Sequence, residues 1–171
     1  PETEQRARPD VAVTPNGQKL TVLYGSNLGT SENLAREISA DAARSGFEVD
    51  MAALDDRVGD LDLDAALVVV TSSYNGQPPD NAAEFCSWLR ALEPDALNGL
   101  SYAVFGCGDR NWSSTFQAIP RLVNAELAEH GARPFTEIGA GDASDDFDGQ
   151  FRSWYSRMWP DLYEAIGLDP D

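Results

Sequence analysis

The stretch AALVVVTSS, residues 65–73, limits the possible folds more than any other. Its apolar run continues unbroken through Val70. A strand with one wet face would alternate apolar and polar residues. An unbroken run is expected of a parallel strand covered on both faces. Parallel strands cannot be joined by a tight hairpin and need crossover connections, usually helices.

The flanking sequence supplies those crossovers. LTVLYG (20–25), FEVDMAAL (47–54) and LSYAVFGCG (100–108) read as further strands, and RPFTEIGA (133–140) as a short fifth. Between them lie helical patterns. Leu34, Ile38 and Ala42 recur every four residues within 31–45, and Ser45-Gly46 ends that helix. Ala82, Phe85, Leu89 and Leu92 line one face of PPDNAAEFCSWLRAL, with Asn81 and Glu84 as a capping pair. Ile119, Leu122, Val123 and Leu127 mark a third helix, ending near Gly131. Phe147, Phe151, Trp154 and Met158 mark a fourth, which Pro160 should stop. Strands alternating with helices predict an α/β fold. It is an open, five-stranded parallel sheet with right-handed crossovers and helices on both faces. Of the two common doubly wound orders, the five-strand one is 2-1-3-4-5.

With 171 residues, 42% apolar and 24% charged, the chain suits one domain with a well-buried core. Residues 1–18 are polar and carry Pro1, Pro9 and Pro15, so they read as a linker or tail. The folded domain is expected over 19–168, and 169–171 as the start of a second linker. A chain beginning with Pro1 is expected to be processed or excised from something longer. No apolar run approaches the ~20 residues of a membrane helix, and no secretory signal is visible. Cys86 and Cys107 make no disulfide framework, which fits reduced thiols in the cytoplasm. No Cys/His cluster suggests a metal, and His130, the single histidine, reads as a surface residue. The net charge of −17, from 29 acids against 12 bases, should repel nucleic acid and anionic membranes. That excess has two readings: simple solvation, or an acidic docking face for a basic protein partner.

In an open parallel sheet, ligands bind beyond the carboxyl ends of the strands at the switch point. In the 2-1-3-4-5 order that point lies between strands one and three. The loops after strands one, three and four are the three unusual stretches of this chain. The first is Gly25-Ser26-Asn27-Leu28-Gly29-Thr30-Ser31. It is neither GxxxxGK[ST] nor GxGxxG. It offers hydroxyls, an amide, glycines and the positive end of a helix. No Lys or Arg lies between Lys19 and Arg36. An anion held there by neutral dipoles suits a terminal phosphomonoester; a capped turn with no ligand is the plain alternative. The second loop, Ser72 to Asn81, carries Tyr74, and the third, Phe105 to Trp112, carries Trp112. Two aromatics on neighbouring loops beside a phosphate cradle suggest a planar ring sandwiched between them.

A phosphate, a spacer and a stacked heteroaromatic ring describe FMN. LYGSNLGTSE, SYNGQPPDNA, VFGCGDRNW and DASDDF, in that order, resemble the flavodoxin-like FMN domains of diflavin reductases. The similarity is greatest to those of self-sufficient bacterial cytochrome P-450 fatty-acid hydroxylases, and it spans about residues 20–168. It implies that Ser26, Asn27, Leu28, Gly29, Thr30 and Ser31 hold the FMN phosphate. It implies that Tyr74 and Trp112 flank the isoalloxazine. Asn75, Gly76 and Gln77 would line one side of the ring, with Ser73 a further cofactor-binding candidate. Cys107, Gly108, Asp109 and Arg110 would supply backbone contacts at its pyrimidine edge, with Asn111 a further cofactor-binding candidate and Asp142 near the ring. Leu28 stands where Met is more familiar in the family. The Asn75-Gly76-Gln77 loop lacks the Gly-Glu-Gly-Asp element of eukaryotic reductases and is followed by two prolines that should stiffen it. No side chain is expected to act as an acid, base or nucleophile. Asp109, Asp142, Asp145 and Asp146 are candidates for negative charge near the ring.

The resemblance implies an oxidoreductase module that receives electrons from an FAD/NADPH domain and passes them to a haem monooxygenase domain, both in one parent polypeptide. Neither nucleic acid nor membrane is an expected partner. Alternatives are the FMN part of a sulfite reductase or nitric oxide synthase, or a free flavodoxin. A flavin-free receiver-type signalling module is a further alternative. It would need an acidic cluster after strand one, where this chain has Gly-Ser-Asn-Leu-Gly-Thr.

Overall fold

The structure is a computed structural model and describes residues 13–73, 76–109 and 117–169. The strands are β1 (Lys19–Gly25), β2 (Glu48–Ala53), β3 (Ala66–Ser72), β4 (Ser101–Gly108), β5 (Arg133–Pro134) and β6 (Gly139–Asp142). The helices are α1 (Thr30–Arg44), α2 (Ala83–Arg90), α3 (Ala118–Glu129) and α4 (Phe147–Ile166), with a 3-10 turn at Leu54–Arg57. The strand order is β2-β1-β3-β4-β5, every pair is parallel, and β6 also pairs with β4. This is the expected 2-1-3-4-5 order with a sixth strand.

The run that pointed to a covered strand is β3, and all seven of its residues are buried. Val68 and Val70 join Leu20, Val22, Ile38, Phe105 and Trp154 under α1 and α4. Leu67 and Val69 join Leu23, Phe85, Leu89, Tyr102 and Val123 under α2 and α3. Alternate side chains of one strand thus feed two separate cores. Each fully buried aliphatic or aromatic side chain there contributes roughly 1.5–3 kcal/mol.

The fifth strand forms in two pieces. Ser101 and Tyr102 face Arg133 and Pro134, and pairing resumes with Phe105 opposite Gly139. Residues 135–138 therefore face only Ala103 and Val104, and the excess bulges toward α4. There the Thr136 hydroxyl donates to Asp161 at 2.8 Å and the Trp154 indole N–H to the Glu137 carbonyl at 3.1 Å.

Three further expectations change. Helix α4 does not stop at Pro160; it runs on to Ile166 and ends on left-handed Gly167. Buried Leu162 and the stacking of Tyr163 on Phe47, 6.0 Å between centroids, hold the last turns. Asn81 does not cap α2, which starts at Ala83; the Phe85 N–H donates instead to the Asp55 carboxylate at 2.8 Å. His130 is buried, because the 93–97 segment folds over it: its Nδ1 lies 3.1 Å from the Glu93 carbonyl, and its own carbonyl accepts from Leu97. Within the expected tail, the Asn16 N–H and side-chain amide donate to the carbonyls of Gly46 and Ser45, tying the chain to the α1–β2 turn.

Candidate functional site

The carboxyl ends of β1, β3, β4 and β6 gather the loops singled out in the sequence. β1 ends on Gly25, where a Cβ would lie 2.5 Å from the Thr71 hydroxyl and 3.0 Å from the Ala82 methyl. Only glycine lets the first loop leave the sheet this close to its neighbours. The Ser26 N–H donates to the Asn81 side-chain oxygen at 2.9 Å, and the Asp80 N–H to the Asn27 side-chain oxygen at 2.8 Å. The Ser26 hydroxyl accepts from the Gly29 N–H at 2.7 Å and keeps its own proton to donate. Gly29 is left-handed, with φ 98°, and turns the chain into α1. The first α-helical bond runs from the Asn33 N–H to the Gly29 carbonyl. The Thr30, Ser31 and Glu32 N–H groups thus have no acceptor one turn back in the helix. With no Lys or Arg between Lys19 and Arg36, these neutral donors and the helix dipole are what an anion meets.

The Ser31 side chain turns inward. Its hydroxyl is buried and lies 2.9 Å from the Ser72 hydroxyl. Both hydroxyls reach the Cys107 thiol, which neighbours Ser72 across the β3–β4 pair. Burial pushes that thiol up to about 11, and the two hydroxyls only partly oppose the shift. Cys107 is therefore a protonated, buried thiol and not a nucleophile. Leu28, in contrast, is 84% exposed.

The Ser73 hydroxyl accepts from the Ile119 N–H at 2.8 Å and so fastens the first turn of α3 to the end of β3. Gly76 is left-handed, with φ 79°, and Gln77 is exposed. Gly108 pairs with Asp142, and the Ala143 N–H donates to the Gly108 carbonyl at 2.8 Å, which brings Asp142 beside the Gly108-Asp109 turn. Asp142 is 2% exposed; its carboxylate accepts from the Ser144 N–H and hydroxyl, and its N–H donates to Gln150. Asp146 caps α4 through the Gly149 N–H, and Asp145 accepts from Gln150. These acids thus order their own loop. Tyr74, Asn75, Arg110, Asn111 and Trp112 lie outside the described residues.

Two residues at this edge have roles that the sequence did not show. Asn81 read as a helix cap and instead bonds the first loop. Gln117 carries no sequence signal. Among the described residues it is the non-glycine with positive φ, 61°, and it is 2% exposed. Its amide donates to the carbonyls of Gly106 at 3.2 Å and Gly141 at 3.4 Å, joining β4 to β6. Among the described residues no cluster of His, Cys, Asp or Glu could hold a metal ion, and no helix is long and apolar enough to cross a membrane.

An open parallel sheet with a neutral anion cradle at its switch point defines a class, and the chain belongs to it: it is a member of the flavodoxin family, whose profile matches residues 22–154. Flavodoxins bind FMN, and the donors around Ser26–Glu32 fit its phosphomonoester. Among sequence relatives, the chain is 49% identical over 154 residues to bifunctional cytochrome P-450/NADPH–P-450 reductase 1 of Bacillus subtilis, covering 90% of this chain and 14% of that one. It is 49% identical over 150 residues to the corresponding Bacillus cereus protein, covering 88% and 14%. A Fusarium oxysporum protein of the same description is 39% identical over 159 residues, covering 91% and 15%. The chain thus spans about one seventh of the length of these oxidoreductases. Among solved structures, a cysteine-to-serine variant of a flavodoxin from Pseudomonas aeruginosa matches with a TM-score of 0.71 at 28% identity, covering 85% of this chain and 99% of that one.

Proposed function

We propose that this chain is the FMN-bearing electron-transfer domain of a haem monooxygenase fusion. It takes electrons from an FAD/NADPH domain and delivers them to a haem domain of the same polypeptide. The observation that carries this reading is the 49% identity, over nine tenths of the chain, to proteins named as joint cytochrome P-450 and NADPH–P-450 reductases. FMN supplies the redox chemistry; the protein's share is binding, orientation and electrostatics. In this reading Ser26 to Ser31 hold the phosphate, through hydroxyls at Ser26 and Thr30 and through backbone N–H groups at the start of α1. Tyr74 and Trp112 stack on the ring. Ser73, Asn75, Gly76 and Gln77 flank it on one side, with Cys107 to Asn111 and Asp142 on the other.

The charge of −17 supports an acidic face that meets basic partner domains and disfavours nucleic acid and anionic membranes. The free, buried thiols of Cys86 and Cys107 support a reducing, cytoplasmic setting. A free flavodoxin is the second reading, favoured by the match to nearly all of the Pseudomonas aeruginosa chain. Stopped-flow mixing of the reduced, FMN-loaded domain with a cytochrome P-450 haem domain separates the two. Rapid haem reduction is expected. A domain that binds FMN but leaves the haem oxidised would favour the free carrier. A domain that takes up no FMN would overturn both.

A further inference from the structure

We propose that Asn81 is a positioning residue for the phosphate end of the FMN site, acting as one half of a reciprocal latch with Asn27. The proposal rests on the FMN reading of the cradle. Each asparagine accepts, through its side-chain oxygen, a backbone N–H from the other's loop: Ser26 donates to Asn81 at 2.9 Å, and Asp80 donates to Asn27 at 2.8 Å. The partners lie 55 and 53 residues apart in the chain, so the latch joins the loop after β1 to the end of the loop after β3.

Asn81 is itself anchored outside both loops. Its carbonyl accepts from the Asp55 N–H at 2.9 Å, and the Asp55 carboxylate accepts from the Phe85 N–H at 2.8 Å. The 3-10 turn and the first turn of α2 thus fix Asn81, and Asn81 fixes Ser26. Within the cradle, the Ser26 and Gly29 N–H groups are satisfied by the protein. They hold the loop's shape and leave the phosphate to the Ser26 and Thr30 hydroxyls and the first N–H groups of α1. The cradle is therefore set on folding, and ligand binding bears little of its ordering cost.

A neutral amide suits this position. An apolar side chain would leave the Ser26 N–H unpaired, and a carboxylate would place negative charge next to a phosphate site.

The test compares FMN with riboflavin, which has the same ring and no phosphate, by fluorescence titration of the apoprotein. In Asn81→Ala, FMN affinity should fall about tenfold, the loss of one well-placed hydrogen bond to a part-buried donor. Riboflavin affinity should stay within about twofold, so the preference for FMN should collapse. Equal losses for both ligands, or no loss for either, would overturn the latch. If Asn81→Ala fails to fold, Asn81→Ser decides by the same comparison, since its shorter side chain cannot reach Ser26 from the same backbone. A wild-type protein that binds riboflavin as tightly as FMN would also overturn the latch. A wild type that binds neither would overturn the reading of the site itself, and the latch with it.

Discussion

Gly106 has no room for a side chain. A Cβ there would lie 1.8 Å from the Gln117 side-chain oxygen and 2.6 Å from the Pro120 ring. Gln117 is already left-handed and buried, so it cannot swing away cheaply. Gly106→Ala should therefore destabilise the apoprotein by about 1–3 kcal/mol, the usual cost of overpacking a filled site. A lower urea midpoint at unchanged slope is the expected result. Trp112→Ala should weaken FMN binding by ~1–3 kcal/mol if the indole stacks on the ring. A fluorescence titration reads that loss, and unchanged affinity would count against the sandwich. The glycine and aromatic residue types were plain in the sequence. What Gln117 does was not, because its partners at Gly106 and Gly141 are set by the β4–β6 pairing.

At the scale of elements, Pro160 sits on the exposed side of α4, and the helix passes through it. An interior proline lacks one helical hydrogen bond and crowds the preceding turn. Packing of Leu162 and Tyr163 offsets that cost here. Pro160→Ala should stabilise the domain by about 1–3 kcal/mol, seen as a raised urea midpoint. Ser73→Ala should have the opposite sign. It strips the Ile119 N–H of its acceptor at the start of α3 and should cost about 0.5–2 kcal/mol, as lost helix caps do. The four-residue periodicity located all four helices. It could not say that α4 outruns its proline, because the stabilising contact comes from Phe47, over a hundred residues earlier in the chain.

The whole molecule responds to alkali through its core. Burial pushes the Cys86 and Cys107 thiols up to about 11 and the Tyr102 phenol up to about 12. In the unfolded chain thiols titrate near ~8.5 and tyrosine near ~10. Above about pH 8.5 the unfolded state therefore binds fewer protons than the folded one, so stability falls as pH rises. For the thiols the loss runs from ~8.5 to about 11, at up to roughly 1.4 kcal/mol per pH unit for each. Tyrosine adds its share between ~10 and about 12. Urea midpoints at about pH 8 and about pH 10.5 should differ in that sense; equal midpoints would contradict it. The charge of −17 makes a second prediction at this scale. Electron delivery to a separately added haem domain should slow as salt is raised, because screening weakens steering between opposite charges. A rate indifferent to salt would assign the acidic surface to solvation alone.

Sequence by itself determined the alternation of elements, the covered strand at 65–73, the sheet order, and that the loops after strands one, three and four leave one edge of the sheet. Those follow from local periodicity, glycine placement and the handedness of crossovers, all written within short windows of chain. Tertiary structure alone decided what individual polar side chains do. Ser31 turns inward to Ser72, Ser73 fastens α3, and Asn81 leaves its helix to hold Ser26. A hydroxyl or amide bonds whichever buried group the fold places within 3 Å of it. Here that group lies 41 to 55 residues away, a separation that residue type and local spacing do not encode.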